Sequence, residues 1–285
     1  MKIISSIQEL QADIKAVKAK GKTIGFVPTM GALHAGHKSL VARSISENDF
    51  NVVSIFVNPT QFNNLSDLEK YPRNIERDAE MLGAIGCDLI FAPQPEDIYT
   101  EDELTGRFDF DFAGLDKVME GKFRPGHFNG VVQIVSKLFN FVQPDKAYFG
   151  EKDFQQLAII HYMVKALNIN VEIVDCPIVR EESGLAMSSR NERLTPEQRK
   201  YAAEISKVLF ESRNFVPELS PADLTVWVSG RINAIEGLKV EYFEIVDSEN
   251  LRTVQTWEKP AVGCIAVFCG EVRLIDNVRF ESMIN

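Results

Sequence analysis

Two histidines lie three residues apart in a segment whose residue types suit phosphate chemistry. The segment PTMGALHAGH places His34 and His37 between an apolar run that ends at Thr29 and a stretch of helical periodicity. Gly31 and Gly36 allow a ligand to approach the backbone closely, and the start of a helix offers free N–H groups to an anion. Both histidines could therefore donate to one anion and stabilise the charge that builds on a phosphorus atom during displacement.

Two other interpretations of the histidine pair stay open at this stage. Zinc ligation is disfavoured because cysteine and acidic residues are absent nearby and the remaining histidines are only His127 and His161. We therefore predict no metal-ligating residue here. Structural capping of the following helix by the histidines is the second alternative.

A second group of polar residues follows another strand-like run, at the start of a predicted helix. Lys152 offers a point charge for phosphate, while Glu151 and Asp153 favour the helix dipole. Gln156 supplies a neutral amide suited to a substrate carboxylate or hydroxyl group. Taken by itself, the segment is equally consistent with an ordinary charged helix start.

A third group, Ser188, Ser189 and Arg190, lies in the segment REESGLAMSSRN. Two hydroxyl groups and a guanidinium on a glycine-hinged loop could close over leaving phosphates. A linker between two domains that contains a capping serine is the alternative.

Two further segments have the character of substrate-side loops. FVNPTQF presents Asn58 and Gln61, two neutral amides beside a rigid proline. EGKFRPGHF presents Arg124 and His127 just before a predicted helix, residues 130–141. The alternative for each segment is a turn with an incidental polar side chain.

The elements that must position these residues alternate along the first 176 positions. Apolar strand-like runs cover residues 23–29, 52–57, 88–92 and 171–175, and amphipathic helical stretches include residues 38–45, 74–85 and 154–167. This alternation predicts a mostly parallel sheet with helices on both faces, and such a sheet binds its ligand beyond the carboxyl ends of the strands.

The pattern changes after Arg180 to two helices followed by three strands. The helices are predicted from Thr195 to about Ser212 and from Ser220 to about Glu236, and the strands over residues 240–246, 262–268 and 272–275. We therefore predict an α/β protein with a Rossmann-like parallel-sheet domain, 1–176, and a smaller α+β domain with an antiparallel sheet, 177–285.

Composition excludes several classes of function. The 285 residues carry a net charge of −10, with a pI near 5.1, which disfavours nucleic acid as a partner. No run reaches the length of a membrane span, so we expect no membrane partner. The N-terminal segment is charged throughout and has no apolar signal region, and the four cysteines form no CxxC pair. We expect a cytoplasmic protein with buried reduced thiols.

Five segments together resemble the pantoate–β-alanine ligase family of HxGH nucleotidyltransferases, which is related to class I aminoacyl-tRNA synthetases. They are PTMGALHAGH, FVNPTQF, EGKFRPGHFNGV, YFGEKDFQQL and GLAMSSRN, in the family's order across most of residues 23–194. The resemblance implies that pantoate, β-alanine and ATP, with Mg²⁺, give pantothenate, AMP and pyrophosphate through a pantoyl adenylate. It also implies a homodimer.

The resemblance assigns roles to particular residues. His34, His37 and Lys152 would be catalytic, with His37 as proton donor, and Gln61 and Gln156 would bind pantoate. From the reading of their loops, Asn58, Arg124 and His127 are predicted to bind substrate as well. The ATP-binding site would be lined by Met30, Gly31, Ala32, Leu33, His34, Ala35, Gly36, His37, Gly150, Glu151, Lys152, Asp153, Val179, Met187, Ser188, Ser189 and Arg190. Asp78 matches a family-type magnesium position, although the protein ligands of Mg²⁺ stay open.

The main alternative is an HxGH nucleotidyltransferase that stops after adenylyl transfer to another small substrate. It would share the histidine pair but would have no evident use for NPTQF or for Gln156. A tRNA-binding relative is disfavoured by the net charge of −10. A nucleotide-binding module without catalysis is disfavoured because all the matched polar positions are present.

Overall fold

The chain divides into two compact units, each of which is described by itself. The computed structural model describes residues 1–63, 68–69, 71–106 and 108–281. The first unit comprises Met1–Glu151 and Gln156–Pro177, and the second comprises Lys152–Gln155 and the chain from Ile178 onwards.

A parallel sheet of six strands forms the centre of the first unit, which confirms the predicted α/β class. The strands are β1 (Lys2–Ile4), β2 (Ile24–Thr29), β3 (Phe50–Ile55), β4 (Leu89–Phe91), β5 (Lys146–Gly150) and β6 (Glu172–Cys176). Their order is β1-β4-β3-β2-β5-β6, and every neighbouring pair is parallel. The interior strands β2 and β4 are apolar and almost wholly buried, as expected where helices cover both faces of a sheet.

Helices connect these strands. The described helices of this part of the chain are α1 (Ile7–Lys18), α2 (Ala35–Glu47), α3 (Ile75–Ala84), α4 (Pro95–Ile98), α5 (Glu101–Thr105), α6 (Met119–Phe123), α7 (His127–Val142) and α8 (Phe154–Ala166). The start of α7 differs from the prediction, because Gly126 has a left-handed φ of 82° and the helix begins directly after it. His127 is therefore the first residue of the helix rather than part of the preceding loop.

Close packing at Gly25 places α2 on the sheet. A Cβ atom at Gly25 would lie 2.6 Å from Nδ2 of Asn48 and would also clash with Oγ of Ser44. Ser44 is fully buried and donates a hydrogen bond to Oδ1 of Asn51 on β3. The absence of a side chain at residue 25 thus lets the carboxyl half of α2 lie directly against β2.

The second unit is an α+β arrangement. Helices α9 (Pro196–Ser212) and α10 (Pro221–Asn233) begin after the capping residues Thr195 and Ser220. The antiparallel strands are β7 (Leu238–Asp247), β8 (Ala261–Cys269) and β9 (Val272–Phe280). Strand β9 runs five residues beyond the predicted end at Ile275, because it pairs with the whole of β8.

The segment Lys152–Gln155 groups with the second unit, although the sequence assigned it to the first domain. Nδ2 of Asn277 donates to the backbone oxygen of Lys152 over 3.1 Å, and the guanidinium of Arg279 lies 5.4 Å from the ring centre of Phe154. Contacts with β9 therefore account for this grouping.

The described residues include all four cysteines and the helices named above. Cys87, Cys176, Cys264 and Cys269 are buried free thiols. Within the described ranges, no helix combines the length and the apolarity needed to cross a bilayer.

Substitution of Gly25 tests the packing of α2. In Gly25→Ala the new methyl group meets Ser44 and Asn48, so we expect the free energy of unfolding to fall by about 1–3 kcal/mol. Gly83→Ala, inside α3, is the control, because a Cβ atom there would lie 3.5 Å from its nearest neighbour and alanine favours a helix. Urea unfolding would measure both, and equal stability of the two variants would contradict the packing argument.

Candidate functional site

The strand order locates the site in the first unit. The chain moves outward from β2 to β3 and then returns to place β5 on the other side of β2. The carboxyl ends of β2 and β5 therefore flank the point at which strand order reverses, where parallel sheets bind their ligands. The predicted phosphate segments follow these two strands.

The turn after β2 is held by a buried carboxylate. Asp78 in the first turn of α3 is 1% exposed; its Oδ2 accepts the N–H of Ala32 over 2.9 Å and its Oδ1 accepts that of Leu33 over 2.8 Å. Gly31 has φ +79°, and a Cβ atom there would lie 3.0 Å from Asp78 Oδ2. Ala32 also has a positive φ, 51°. Two residues in left-handed conformation thus turn successive N–H groups toward one carboxylate.

The histidine pair begins α2 directly after this turn. His34 is the N-cap residue, and its Nδ1 accepts the N–H of Gly36 over 3.1 Å. The N–H of His34 in turn donates to Nδ1 of His37 over 3.4 Å. The two ring centres lie 4.1 Å apart. The pair therefore forms a reciprocal capping box, built from imidazoles rather than the usual hydroxyl and carboxylate groups.

This capping fixes the chemical character of both rings. A nitrogen that accepts a backbone N–H carries no proton, so both rings have an unprotonated Nδ1 and carry their proton on Nε2. The capping interpretation and the catalytic interpretation are therefore compatible. Nδ1 shapes the start of α2, and Nε2–H is the donor that each ring can offer to an anion.

A substrate-side amide reaches the same turn. Nε2 of Gln61 lies 3.2 Å from Sδ of Met30, the first residue after β2. Gln61 ends a short 3₁₀ turn, Pro59–Gln61, and is 8% exposed. The structure therefore brings the predicted substrate residue Gln61 together with the predicted nucleotide segment.

Asn58 lies behind Gln61 and is 1% exposed. Its Nδ2 donates to Oε1 of Gln61 and to the backbone oxygen of Gly130, each over 3.0 Å. Its Oδ1 accepts from the hydroxyl groups of Thr60 and Tyr99. All four hydrogen-bonding positions of the amide are used, so a direct contact between Asn58 and substrate stays a prediction that would require one of these bonds to break.

Of the remaining predicted substrate residues, His127 supports the same loop. Nδ1 of buried His127 lies 2.9 Å from the backbone oxygen of Gln61, and because a carbonyl only accepts, His127 is the donor. A Cβ atom at Gly130 would lie 2.6 Å from the backbone nitrogen of Gln61, so α7 packs directly on this backbone. Arg124 pairs with Glu120 over 3.4 Å.

The residues after β5 divide between the two units. Gly150 ends β5 opposite Cys176, and Glu151 begins a 3₁₀ turn that leads into α8. Gln156 is half-buried in the first turn of α8 and belongs to the first unit. Lys152 and Asp153 belong to the second unit, where their side chains pair over 3.2 Å.

In the second unit, the predicted phosphate loop has defined local structure. Ser188 caps a 3₁₀ turn, Ser189–Arg193, and its Oγ accepts the N–H of Arg190. The N–H of Met187 donates to the oxygen of Val179 over 3.0 Å. These bonds join Val179 with Met187 and Ser188 with Arg190, four of the residues that the resemblance assigned to ATP within this unit.

Two arginine–carboxylate pairs that were not predicted anchor this loop. Arg199 on α9 donates to both oxygens of Glu181 and to the backbone oxygen of Asn191, over 2.8–3.1 Å. Arg180 makes a bidentate pair with Asp276 on β9, at 2.6 and 2.9 Å. Charged residues are common at such spacings, and the sequence carried no signal that paired these four.

The role of Asp78 as the acceptor for two backbone N–H groups was also not predicted. The only signal was an acidic residue in the first turn of a predicted helix, which is ordinary. A metal at this carboxylate would lie against the positive ends of two backbone N–H groups, so the residue does not fit a magnesium ligand. Within the described ranges, no group of three or more His, Cys, Asp or Glu residues could hold a metal ion.

Comparisons with known proteins agree with the resemblance. The family model described as pantoate-beta-alanine ligase matches residues 2–279. A pantothenate synthetase of Bacteroides fragilis is 56% identical over 99% of this chain and 100% of its own length, and one of Porphyromonas gingivalis is 53% identical with the same coverage. The crystal structure of pantothenate synthetase from Thermus thermophilus has a TM-score of 0.90 at 42% identity, covering 98% of this chain and 99% of its own. A pantoate-beta-alanine ligase of Francisella tularensis, complexed with beta-gamma ATP and beta-alanine, has a TM-score of 0.81 at 36% identity, covering 98% and 97%.

Substitution of Asp78 tests the turn. Asp78→Asn removes one acceptor and brings an NH₂ group against a backbone N–H, so we expect the free energy of unfolding to fall by about 2 kcal/mol. Asp49→Asn is the control, because exposed Asp49 accepts the N–H and the hydroxyl of Thr23 at the other end of β2. Urea unfolding at neutral pH would compare them, and an equal or larger loss in the control would contradict the role of Asp78.

Proposed function

This chain belongs to the pantoate–β-alanine ligase family, and we propose that it condenses pantoate with β-alanine through a pantoyl adenylate. A pantoate carboxylate oxygen attacks the α-phosphorus of ATP, and the bond to pyrophosphate breaks. The amine of β-alanine then attacks the acyl carbon, loses a proton, and displaces AMP. Both steps depend mainly on positioning and on neutralising charge at phosphorus.

The observation that supports this proposal best is the contact between Gln61 and Met30. The amide of Gln61 and the turn that carries His34 and His37 belong to one unit, and Gln61 Nε2 lies 3.2 Å from Met30 Sδ. A carboxylate held by the amide would thus lie beside the donors that face an α-phosphate. An enzyme that only transferred an adenylyl group to another substrate would not need this amide.

The histidine pair would act at the α-phosphate. The Nε2–H groups of His34 and His37 would donate to its oxygens, where negative charge grows in the transition state. The resemblance makes His37 a proton donor, but with Nδ1 accepting a backbone N–H its neutral ring would act as a hydrogen-bond donor through Nε2–H and would keep its proton. The capping bonds at Nδ1 hold both rings in place before ATP binds, so little reorganisation is needed.

The residues that follow β5 and those of the second unit would bind the rest of ATP. Lys152, Ser188, Ser189 and Arg190 would hold the phosphates, in place of the KMSKS-type loop of the related synthetases. The remaining nucleotide contacts would come from the turn after β2 and from Gly150, Glu151, Asp153, Val179 and Met187. Gln156 would bind pantoate together with Gln61.

Magnesium would enter as part of the nucleotide complex. Mg²⁺ keeps several waters and is commonly held by substrate phosphates rather than by an all-protein cage. This agrees with the structure at Asp78, where both carboxylate oxygens accept backbone N–H groups. We also propose that the enzyme is cytoplasmic and acts as a homodimer.

The direct test is AMP release from purified protein with ATP and Mg²⁺, with pantoate and β-alanine added singly and together. We expect AMP turnover only with both substrates, and one ¹⁸O atom in AMP when the pantoate carboxylate is labelled. Pyrophosphate release with pantoate, without amide formation on adding β-alanine, would leave only an adenylyltransferase. No response to pantoate would overturn the substrate assignment.

Two substitutions of His37 separate capping from catalysis. Asparagine can still accept the N–H of His34 but has no group at the position of Nε2–H, whereas alanine has neither. We expect both His37→Asn and His37→Ala to slow pyrophosphate release by about 10²–10³-fold, because each removes one hydrogen-bond donor to the developing charge. His161→Ala, which removes an exposed histidine paired with Asp175, is the control. Normal adenylation in His37→Asn would show that the residue only caps the helix.

Gln156→Ala tests the second substrate amide. Loss of one hydrogen bond to substrate should raise the KM for pantoate by about tenfold and leave the KM for ATP nearly unchanged. Steady-state AMP formation, with each substrate varied in turn, measures both constants. Equal effects on the two constants would contradict the assignment.

A further inference from the structure

A backbone carbonyl determines which way the amide of Asn58 faces. The oxygen of Gly130 can only accept a hydrogen bond, so the amide atom 3.0 Å away must be the nitrogen of Asn58. That same nitrogen lies 3.0 Å from the amide of Gln61, whose facing atom must therefore be oxygen. The orientation of both amides follows from one carbonyl.

The other end of Asn58 is held by two hydroxyl groups. Oδ1 of Asn58 accepts from the hydroxyl of Tyr99 over 2.8 Å and from Oγ1 of Thr60 over 3.1 Å. Tyr99 is 5% exposed and follows α4. Burial raises the pKa of Tyr99 to about 12, so its hydroxyl keeps its proton at neutral pH.

The bond from Asn58 also fixes the direction in which the amide of Gln61 faces. Because Oε1 of Gln61 is occupied by Asn58, its NH₂ group faces Met30, whose thioether is a weak acceptor. A substrate oxygen would be a better partner for this group. Only a group that accepts hydrogen bonds, such as a carboxylate or hydroxyl oxygen, matches the amide in this orientation.

We propose that Tyr99 is a positioning residue of the pantoate site, which through Asn58 holds the NH₂ group of Gln61 toward an acceptor oxygen of pantoate. This inference rests on the proposed function, since it takes Gln61 as a pantoate ligand. In this proposal Tyr99 does not contact the substrate. Its contribution is to keep Asn58, and therefore Gln61, in one orientation.

The experiment is a double-mutant cycle on the full chain, with AMP formation measured against pantoate at saturating ATP and β-alanine. Tyr99→Phe removes one hydroxyl and should raise the KM for pantoate by about threefold to tenfold, with the KM for ATP unchanged. Adding Thr60→Val removes the second donor to Oδ1 of Asn58 and should raise the KM for pantoate further. In a Gln61→Ala background, Tyr99→Phe should have no additional effect.

The control is Tyr201→Phe, which removes a hydroxyl that donates to Glu197 in the second unit. It should leave the KM for pantoate unchanged. If Tyr99→Phe proves too unstable to assay, Thr60→Val provides the same comparison, because its hydroxyl reaches the same oxygen of Asn58.

The outcomes distinguish the substrate role of Gln61 from the positioning role of Tyr99. If Gln61→Ala leaves the KM for pantoate unchanged, the proposed substrate role of Gln61 fails and this inference fails with it. If Gln61→Ala raises that constant but Tyr99→Phe acts equally in both backgrounds, or has no effect in either, only the positioning role is overturned. An effect of Tyr99→Phe that vanishes in the Gln61→Ala background supports the proposal.

Discussion

A buried carboxylate that accepts two successive backbone N–H groups is the constraint on which this site depends. Asp78 binds the amides of Ala32 and Leu33, and those bonds require the left-handed turn that begins at Gly31. Without a partner, the buried N–H group of Leu33 would carry a desolvation cost of about 1–3 kcal/mol, and the half-buried N–H group of Ala32 would also lose its acceptor. This turn determines the residue at which α2 begins. It therefore also determines the orientation of the rings of His34 and His37.

In His34, His37 and Gln61, one end of the side chain bonds to the backbone or to Asn58, and the proposed chemistry uses the other end. The imidazoles accept backbone N–H groups at Nδ1 and therefore carry their protons on Nε2. Gln61 accepts from Asn58 at its oxygen and therefore presents its nitrogen. In both cases the backbone fixes the orientation, through N–H groups for the histidines and through the carbonyl of Gly130 for the amides. Such preorganisation is what a reaction that depends on positioning needs.

Much of this arrangement was readable from the sequence, and the reasons are local. Apolar runs separated by amphipathic helices predicted the parallel sheet, and the strand–turn–helix context of His34 and His37 predicted an anion site. The start of α7 at His127, the double role of the histidines and the placement of Asp78 were not predicted. The placement of Asp78 depends on a contact with the turn 46 residues before it, and periodicity and spacing carry no information about such a pair. The other two features depend on local backbone conformation, namely the left-handed Gly126 before α7 and the backbone N–H groups that donate to Nδ1 of each histidine.

The most direct test is ¹⁵N NMR of selectively labelled His34 and His37 in the protein without substrate at neutral pH. We expect both rings to be neutral and to carry their proton on Nε2, with Nδ1 at the chemical shift of an unprotonated, hydrogen-bonded nitrogen. Asp78→Asn should perturb both signals, because the turn that begins α2 depends on the carboxylate. A ring with its proton on Nδ1, or an imidazolium, in the unsubstituted protein would contradict the central claim.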